Sequence, residues 1–116
     1  MEAQSKAELL RIFVGESDQV RRVPLFEAIV REAKAAGLAG ATAWKGVMGF
    51  GPTTRIRTAK ILDLSADLPV VVEITDAEDK ISAFLPTLDR LFEEGNCGGL
   101  VTREKVQIIR YAQGRH

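Results

Sequence analysis

Two apolar patterns alternate along this chain, and their order restricts the folds it can adopt. Short β-branched runs at residues 9–15 (LLRIFVG) and 69–74 (PVVVEI) predict strands. Apolar residues at helical spacing follow each run, over residues 24–36 and from residue 81 to about 95, and predict two helices. Any fold proposed for the chain must therefore place a helix after each of these strands.

The remaining segments complete the order of elements. The other predicted strands are residues 41–50 (ATAWKGVMGF) and 106–111 (VQIIRY), and residues 59–64 also alternate after a polar loop. The order βαββαβ, with antiparallel pairing and both helices on one face of the sheet, is the α+β ferredoxin-like split βαβ fold. We expect a single domain over residues 9–111, with tails at residues 1–8 and 112–116.

The sequence of the second helix contains a signal for where the helix begins and another for a bend within it. Residues 75–78 (TDAE) have the form of a capping box and predict where the helix begins. Pro86 is expected to bend the helix, because an interior proline removes a backbone hydrogen bond. A cluster of carboxylates is interpreted as capping groups rather than as an acid–base pair: Glu73, Asp76, Glu78 and Asp79.

Both faces of the predicted sheet carry apolar side chains. Leu10, Ile12 and Val14 share the side of the first strand that the helices would cover. The opposite side carries Arg11 together with an apolar set: Leu9, Phe13, Val71 and Ile109. Scattered exposed apolar residues are ordinary in proteins. A patch across several strands nevertheless favours burial against other copies of the chain.

Charge and cysteine content exclude several classes of function. The chain has 16 basic and 16 acidic residues, so no net charge draws it to nucleic acid or to an anionic membrane. Its longest apolar stretch, residues 68–72, is far shorter than the roughly 20 residues of a membrane helix, and residues 1–8 lack the apolar core of a secretory signal. Cys97 has no second cysteine to pair with, so the expected location is the reducing cytoplasm.

Residues that carry most enzyme chemistry are scarce. His116 is the only histidine and the last residue, so neither a metal site nor a nucleophile with a positioned base is expected. The GFG sequence at residues 49–51 lacks the third glycine of a dinucleotide fingerprint, and no P-loop motif is present. We therefore expect a non-catalytic protein that requires no cofactor.

Two glycine-containing segments have the composition of anion-binding loops. They are residues 45–58 (KGVMGFGPTTRIRT) and 96–105 (NCGGLVTREK). Their cationic side chains include Arg55, Arg57, Arg103 and Lys105. In a split βαβ fold the two segments emerge near the same edge of the sheet, so they are expected to form a phosphate-binding cleft. The alternatives are an ordinary solvated hairpin and an ordinary helix-to-strand connection.

The chain resembles the PII-like family called DUF190. The resemblance rests on GESD at residues 15–18, PLFEAIVREAKAAGLAGATAWKGVMGFG at 24–51, RIRTAKILDLSADLPVVVEITD at 55–76 and GLVTREKVQIIRY at 99–111. More distantly, the layout is similar to that of the nitrogen-regulatory PII signalling proteins.

This resemblance implies a homotrimer with inward-facing sheets and a ligand cleft between subunits. The ligand it implies is a small anion, with an adenine nucleotide as the first candidate. By position, Gly49 and Gly51 match the glycine element before the long loop, and Lys105 matches the basic turn before the last strand. The weaker candidates are Arg55, Arg57, Arg103 and Arg110.

The resemblance also implies a regulatory, signal-transducing role. A membrane transporter or channel, such as a fluoride exporter, is the kind of partner it suggests. Residues 52–58 contain no tyrosine, so the uridylylation known from nitrogen-regulatory PII proteins is not expected. A small-molecule enzyme using the same cleft and a ligand-free assembly protein are the alternative functions.

Overall fold

A computed structural model of the chain describes residues 6–51 and 67–114. The elements within these ranges are β1 Ala7–Gly15, β2 Gln19–Val20, β3 Val23–Pro24, α1 Leu25–Ala35, β4 Thr42–Lys45, β5 Pro69–Ala77, α2 Glu78–Gly95 and β6 Leu100–Val106. The main sheet has the strand order β4-β5-β1-β6, and every neighbouring pair is antiparallel. Both helices pack with the sheet through one core, which confirms the predicted ferredoxin-like fold.

The core lies between one face of the sheet and the two helices. Alternate residues of β1 and β5 supply the sheet side: Leu10, Ile12, Val14, Val70, Val72 and Ile74. The helices supply Leu25, Ala28, Ile29 and Ala33 from α1, and Ile81, Phe84, Leu88 and Leu91 from α2. Burial of this set is the main source of stability, because each large apolar side chain removed from water contributes about 1.5–3 kcal/mol.

The last strand is not where its apolar pattern predicts it. β6 pairs with β1 from Leu100 opposite Phe13 to Val106 opposite Ala7, so only Val106 of the predicted strand 106–111 (VQIIRY) belongs to it. An edge strand accepts charged residues on both faces, because backbone pairing on one side holds it in the sheet. Residues 107–114 form no helix or strand, but the Tyr111 hydroxyl donates a hydrogen bond to the Ala39 carbonyl at 2.9 Å.

The start of α2 also differs from its prediction. Thr75 lies in β5 opposite Leu9, and α2 begins at Glu78 after the N-cap residue Ala77, with no side-chain cap. The predicted capping box is therefore wrong, because the ladder with β1 keeps residues 75–77 extended. The helix continues through Pro86 and ends at Gly95, as predicted, with Asn96 in the left-handed conformation.

Smaller differences concern the ends of other strands. β1 begins at Ala7, so the first residues of this strand fall inside the predicted N-terminal tail. The predicted strand over residues 41–50 is only four residues long, Thr42–Lys45, because the chain bends at Val47 and Met48. The alternating segment at residues 59–64 lies outside the described residues.

Candidate functional site

The face of the sheet away from the helices carries an in-register row of apolar side chains. Trp44 pairs with Val71, Val71 with Phe13, and Phe13 with Leu100, so the row crosses all four strands of the main sheet. We call these four residues the apolar row. The predicted second apolar face is therefore present in β1 and β5, whereas Ile109, predicted to share it, lies exposed beyond β6.

Beside the apolar row lies a group of three charges, Arg11, Glu73 and Glu104, which we call the ion triad. The Arg11 Nε donates to the Glu73 carboxylate at 2.8 Å, and its Nη1 donates to Glu104 at 3.2 Å. The hydrogen bond with Glu73 is the main reason that the pKa of Arg11 is raised, and the negative charge of Glu104 acts in the same direction. Glu73 therefore pairs across strands, and the prediction that it caps α2 is wrong.

The segment after β4 lies at the end of the sheet where β5 begins. The Gly46 N–H donates to the Pro69 carbonyl at 2.7 Å. A Cβ atom on Gly46 would lie 3.0 Å from the Pro69 ring, and one on Gly49 would lie 3.2 Å from it. Gly49 also has a φ of +153°, which disfavours a side chain there. These glycines therefore let the loop pack closely on Pro69, while Val47, Met48 and Phe50 project into solvent.

Acidic groups surround the neighbouring turn after β1. The Gly15 N–H donates to the Asp18 carboxylate at 2.8 Å, and the Ser17 N–H donates to Asp67 at 3.0 Å. Lys45, the cation nearest the loop in sequence, lies 2.7 Å from the Glu16 carboxylate. Residues 15–18 (GESD) thus form a turn lined by carboxylates, and the Glu16 carboxylate compensates the positive charge of Lys45.

The loop between α2 and β6 lies at the same end of the sheet but at its other edge, so the prediction that the two glycine segments emerge near one edge is wrong. Gly99 packs against Phe92, because a Cβ atom on Gly99 would lie 2.5 Å from that ring. The loop borders an open groove of about 470 Å³, lined by Asp89, Phe92, Glu93, Cys97, Gly98, Gly99 and Val101. The Cys97 thiol lies 3.3 Å from the Gly95 carbonyl.

Predicted ligand residues are distributed over both ends of the sheet. Gly49 and Gly51 belong to the loop after β4, whereas Arg103 and Lys105 lie within β6, opposite Leu10 and Glu8. The prediction that residues 96–105 form one loop is therefore wrong beyond Gly99, because pairing with β1 extends from that point. A ligand role for each of these residues stays a prediction.

The remaining predicted residues are placed as follows. Arg110 is exposed in the segment after β6, and Arg55 and Arg57 lie outside the described residues. Arg103 already has partners: its Nε donates to the Glu8 carboxylate at 2.7 Å, and its Nη2 donates to the Ser82 hydroxyl at 2.9 Å.

Sequence reasoning misses Glu8 and Asp76 as structural groups. The sequence analysis places Glu8 in the N-terminal tail. Glu8 lies two residues before Leu10 and therefore on the same side of the strand, and this spacing is the one signal that could have assigned it to the face covered by the helices. Asp76 is interpreted as a capping residue, but the buried Asp76 carboxylate accepts the Ala39 N–H at 2.9 Å. Asp76 therefore holds the connection between α1 and β4.

Two kinds of feature are absent from residues 6–51 and 67–114. No group of three or more His, Cys, Asp or Glu side chains in these ranges could hold a metal ion. No helix in them is long and apolar enough to cross a membrane.

Comparisons with known proteins place the chain in a family. Residues 7–108 match DUF190, described as "Uncharacterized ACR, COG1993". A UPF0166 protein from Aquifex aeolicus is 40% identical over 104 residues, which covers 90% of this chain and 94% of that protein. A UPF0166 protein from Methanocaldococcus jannaschii is 33% identical over 96 residues, with 83% and 85% covered.

Solved structures show the same fold at low sequence identity. CPII from Thiomonas intermedia K12, bound to ADP, AMP and acetate, superposes with a TM-score of 0.64 at 16% identity, covering 94% of this chain and 91% of that one. A PII-like protein from Thermus thermophilus gives a TM-score of 0.58 at 22% identity, with 94% of each chain covered. The chain therefore belongs to the DUF190 family, and its fold is the PII-like ferredoxin fold.

Proposed function

We propose that this chain is a PII-like regulatory protein that assembles as a trimer and binds a small anionic ligand between its subunits. The proposed ligand class is the adenine nucleotides. CPII, which shares the fold, has been solved with ADP and AMP. That likeness supports the class of ligand, and the arrangement of this chain's own loops supports the position of the site.

The observation that carries the proposal is the placement of the two glycine loops. The segment after β4 and the loop before β6 both lie at the end of the sheet marked by Pro69 and Leu100, but at opposite edges. Four strands at a spacing of about 4.8 Å separate these edges by roughly 14 Å. One phosphate group cannot contact both loops of the same chain across that distance, so each chain supplies two half-sites.

A ring of subunits joins these half-sites. A head-to-tail contact, in which the β4 edge of one copy faces the β6 edge of the next, closes into a ring when the rotation fits. Each such contact sets the Gly46–Gly51 loop of one copy against the Gly98–Gly99 turn of its neighbour. Backbone N–H groups of glycine loops are suitable donors to phosphate oxygens.

We propose further that ligand binding, rather than turnover, is the activity of the cleft. The ligand would set the conformation of the loop that follows β4, and this loop would then bind or release a partner. Val47, Met48 and Phe50 support a partner contact, because three large apolar side chains stand exposed within four residues. A membrane transporter or channel is the proposed partner, and the reducing cytoplasm is the proposed location.

Titration calorimetry tests the ligand. The purified chain is titrated with ATP, ADP and AMP, with GTP as a control for the base and adenosine as a control for the phosphates. We expect binding by at least one adenine nucleotide and weaker binding by both controls. Absence of binding by all three adenine nucleotides at millimolar concentration would refute the nucleotide part of the proposal.

Paired glycine variants locate the site. Gly49→Ala strains a positive φ and crowds Pro69, so it should weaken nucleotide binding. Gly40→Ala is the matched control, since a Cβ atom at Gly40 meets no atom within 4 Å and this residue lies near the opposite end of the sheet. Equal affinities for the two variants would place the ligand elsewhere. Release of a reaction product during the same incubations would favour the enzyme alternative.

A further inference from the structure

We infer that the groove between α2 and β6 binds an arginine side chain of a partner protein. Such a ligand is opposite in charge to the proposed anion, because the charged side chains that line this groove are carboxylates. Two features of the groove carry the inference: an apolar floor, and two carboxylates that are not paired within the described part of the chain.

The groove lies on the helix side of the sheet. It has a volume of about 470 Å³, with α2 forming one wall and the start of β6 the other. Val101 identifies the side, because it pairs with Ile12, whose side chain belongs to the core beneath the helices. The sheets face inward in the proposed trimer, so the groove opens outward, where a partner protein can reach it.

The floor of the groove suits the aliphatic stem of a long cationic side chain. Phe92 and Val101 line it, and Val101 is 38% exposed. Gly98 and Gly99 border it without side chains of their own, which keeps the space open. Arginine and lysine stems pack along apolar surface of this kind while their charged ends stay hydrated or paired.

The charged part of the groove is a pair of carboxylates, on Asp89 and Glu93, one turn apart on α2. Both residues are exposed, and among the described residues no ion pair or hydrogen bond engages either carboxylate. Arg90, the cation nearest to them in sequence, donates to the Thr87 hydroxyl at 3.3 Å instead. The groove therefore presents two uncompensated negative charges beside its apolar floor.

These two charges oppose the stability of the helix that carries them. Like charges four residues apart repel each other across one turn. Glu93 also lies in the last turn of α2, where the helix dipole is negative and no basic residue occurs. The third carboxylate of this region, on Glu94, is compensated by Arg21 at 2.8 Å. The fold thus uses an arginine for one carboxylate and leaves the two that line the groove to a cation from outside.

An arginine fits the groove better than other cations. A guanidinium has five N–H donors in a planar fork, so it can donate to both carboxylates at once. A lysine ammonium is a single point of charge and lacks this fork. A metal ion needs more ligands than two carboxylates supply, and no group of three or more His, Cys, Asp or Glu in the described ranges can hold one.

Titration followed by nuclear magnetic resonance tests the inference on the full, isotope-labelled chain. N-acetylarginine amide serves as the probe, because its blocked ends resemble an arginine within a chain. The corresponding citrulline derivative is the matched control, since it has the same shape without the charge. We expect saturable shifts of the Gly98 and Gly99 amide signals in the millimolar range, with binding of the citrulline derivative weaker by about ten-fold or more.

Paired variants locate the site. Asp89→Asn combined with Glu93→Gln should weaken binding of the arginine derivative by about ten-fold or more, because both carboxylates are lost. The same double variant should melt at the wild-type temperature or above it, since it also removes the repulsion within α2. Asp79→Asn is the matched control: this carboxylate is exposed in the first turn of the same helix, and its loss should leave binding unchanged.

The outcomes separate this inference from the proposed ligand. Equal affinities for the arginine and citrulline derivatives, or for wild type and the double variant, would overturn it. A double variant that melts below wild type would show that the fold itself uses the two carboxylates, and tighter binding of free arginine would assign the groove to an amino acid; either result also contradicts a partner side chain. If adenine nucleotides bind but the arginine derivative does not, the inference fails and the proposed function stands. The reverse result leaves the inference standing and refutes the nucleotide proposal.

Discussion

Asp76→Ala should be one of the most destabilising polar substitutions in the described part of this chain. The Asp76 carboxylate is 1% exposed and accepts the Ala39 N–H at 2.9 Å and the Ala77 N–H at 2.6 Å. The first of these bonds ties the connection between α1 and β4 to the end of β5. Ala39 is held from its other side as well, because its carbonyl accepts the Tyr111 hydroxyl.

The magnitude follows from the two bonds. A hydrogen bond to a charged acceptor contributes roughly 1.5–3 kcal/mol when its partner is left unsatisfied. The Ala39 bond should account for about 2 kcal/mol, and the bond to the adjacent Ala77 N–H for about 1 kcal/mol more. A loss of about 3 kcal/mol corresponds to a fall in melting temperature of about 12 °C for a domain near this size.

The assay is urea unfolding at one fixed protein concentration, followed by circular dichroism. Asp79→Ala is the control, since this carboxylate is exposed in the first turn of α2 and should cost less than about 1 kcal/mol. Tyr111→Phe should cost about 1 kcal/mol, and combining it with Asp76→Ala should give less than the sum, because the two bonds hold the peptide groups on either side of the same residue, Ala39. A loss below about 1 kcal/mol for Asp76→Ala, or strict additivity of the pair, would refute this account.

Three further substitutions test other parts of the fold. Arg103→Ala leaves the nearly buried Glu8 carboxylate without its partner and should cost about 2 kcal/mol in urea unfolding, whereas Glu8→Gln combined with Arg103→Ala should recover part of it. Gly99→Ala forces a Cβ atom to within 2.5 Å of the Phe92 ring and should lower the melting temperature by at least a few degrees. Gly51→Ala is the control and should leave the melting temperature unchanged, because a Cβ atom there meets no atom within 4 Å. Phe84→Ala opens a cavity in the core and should cost about 3–5 kcal/mol, which calorimetry would show as a lower transition temperature.

The sequence predicts an element well where burial imposes a period. In α1 and α2 the buried positions recur every three or four residues, and in β1 and β5 they alternate. β6 has no such period, because its first six residues, Leu100–Lys105, are exposed, and its place is fixed by backbone pairing with β1. The VQIIRY segment is more apolar than β6, yet all of it except Val106 lies past the end of the ladder.

Only those features of the candidate site that depend on neighbouring residues in the sequence can be predicted from it. Gly51 is correctly placed outside the strands, because glycine and proline mark such segments in the sequence itself, whereas Gly49 falls inside the predicted strand 41–50 and lies in the loop after β4. The ion triad depends on strand register: Arg11 and Glu73 are 62 residues apart in the chain, and Arg11 and Glu104 are 93 apart. No local pattern carries that information, and the pairing of Arg103 with Glu8, which are 95 residues apart, is equally absent from any local pattern.

The two faces of the sheet differ in what can pack against them. One face carries apolar side chains at alternate positions of the central strands and packs against the helices. This packing requires only that the side chains of the sheet and the helices match in shape and volume. The other face combines apolar contact with fixed charges, so a partner must match the pattern of charge as well as the area. Because the net charge is zero, this selection acts at contact distance rather than through a long-range field. In the proposed trimer this face would pack against other copies of the chain, and the glycine loops at the two edges would line the clefts between them.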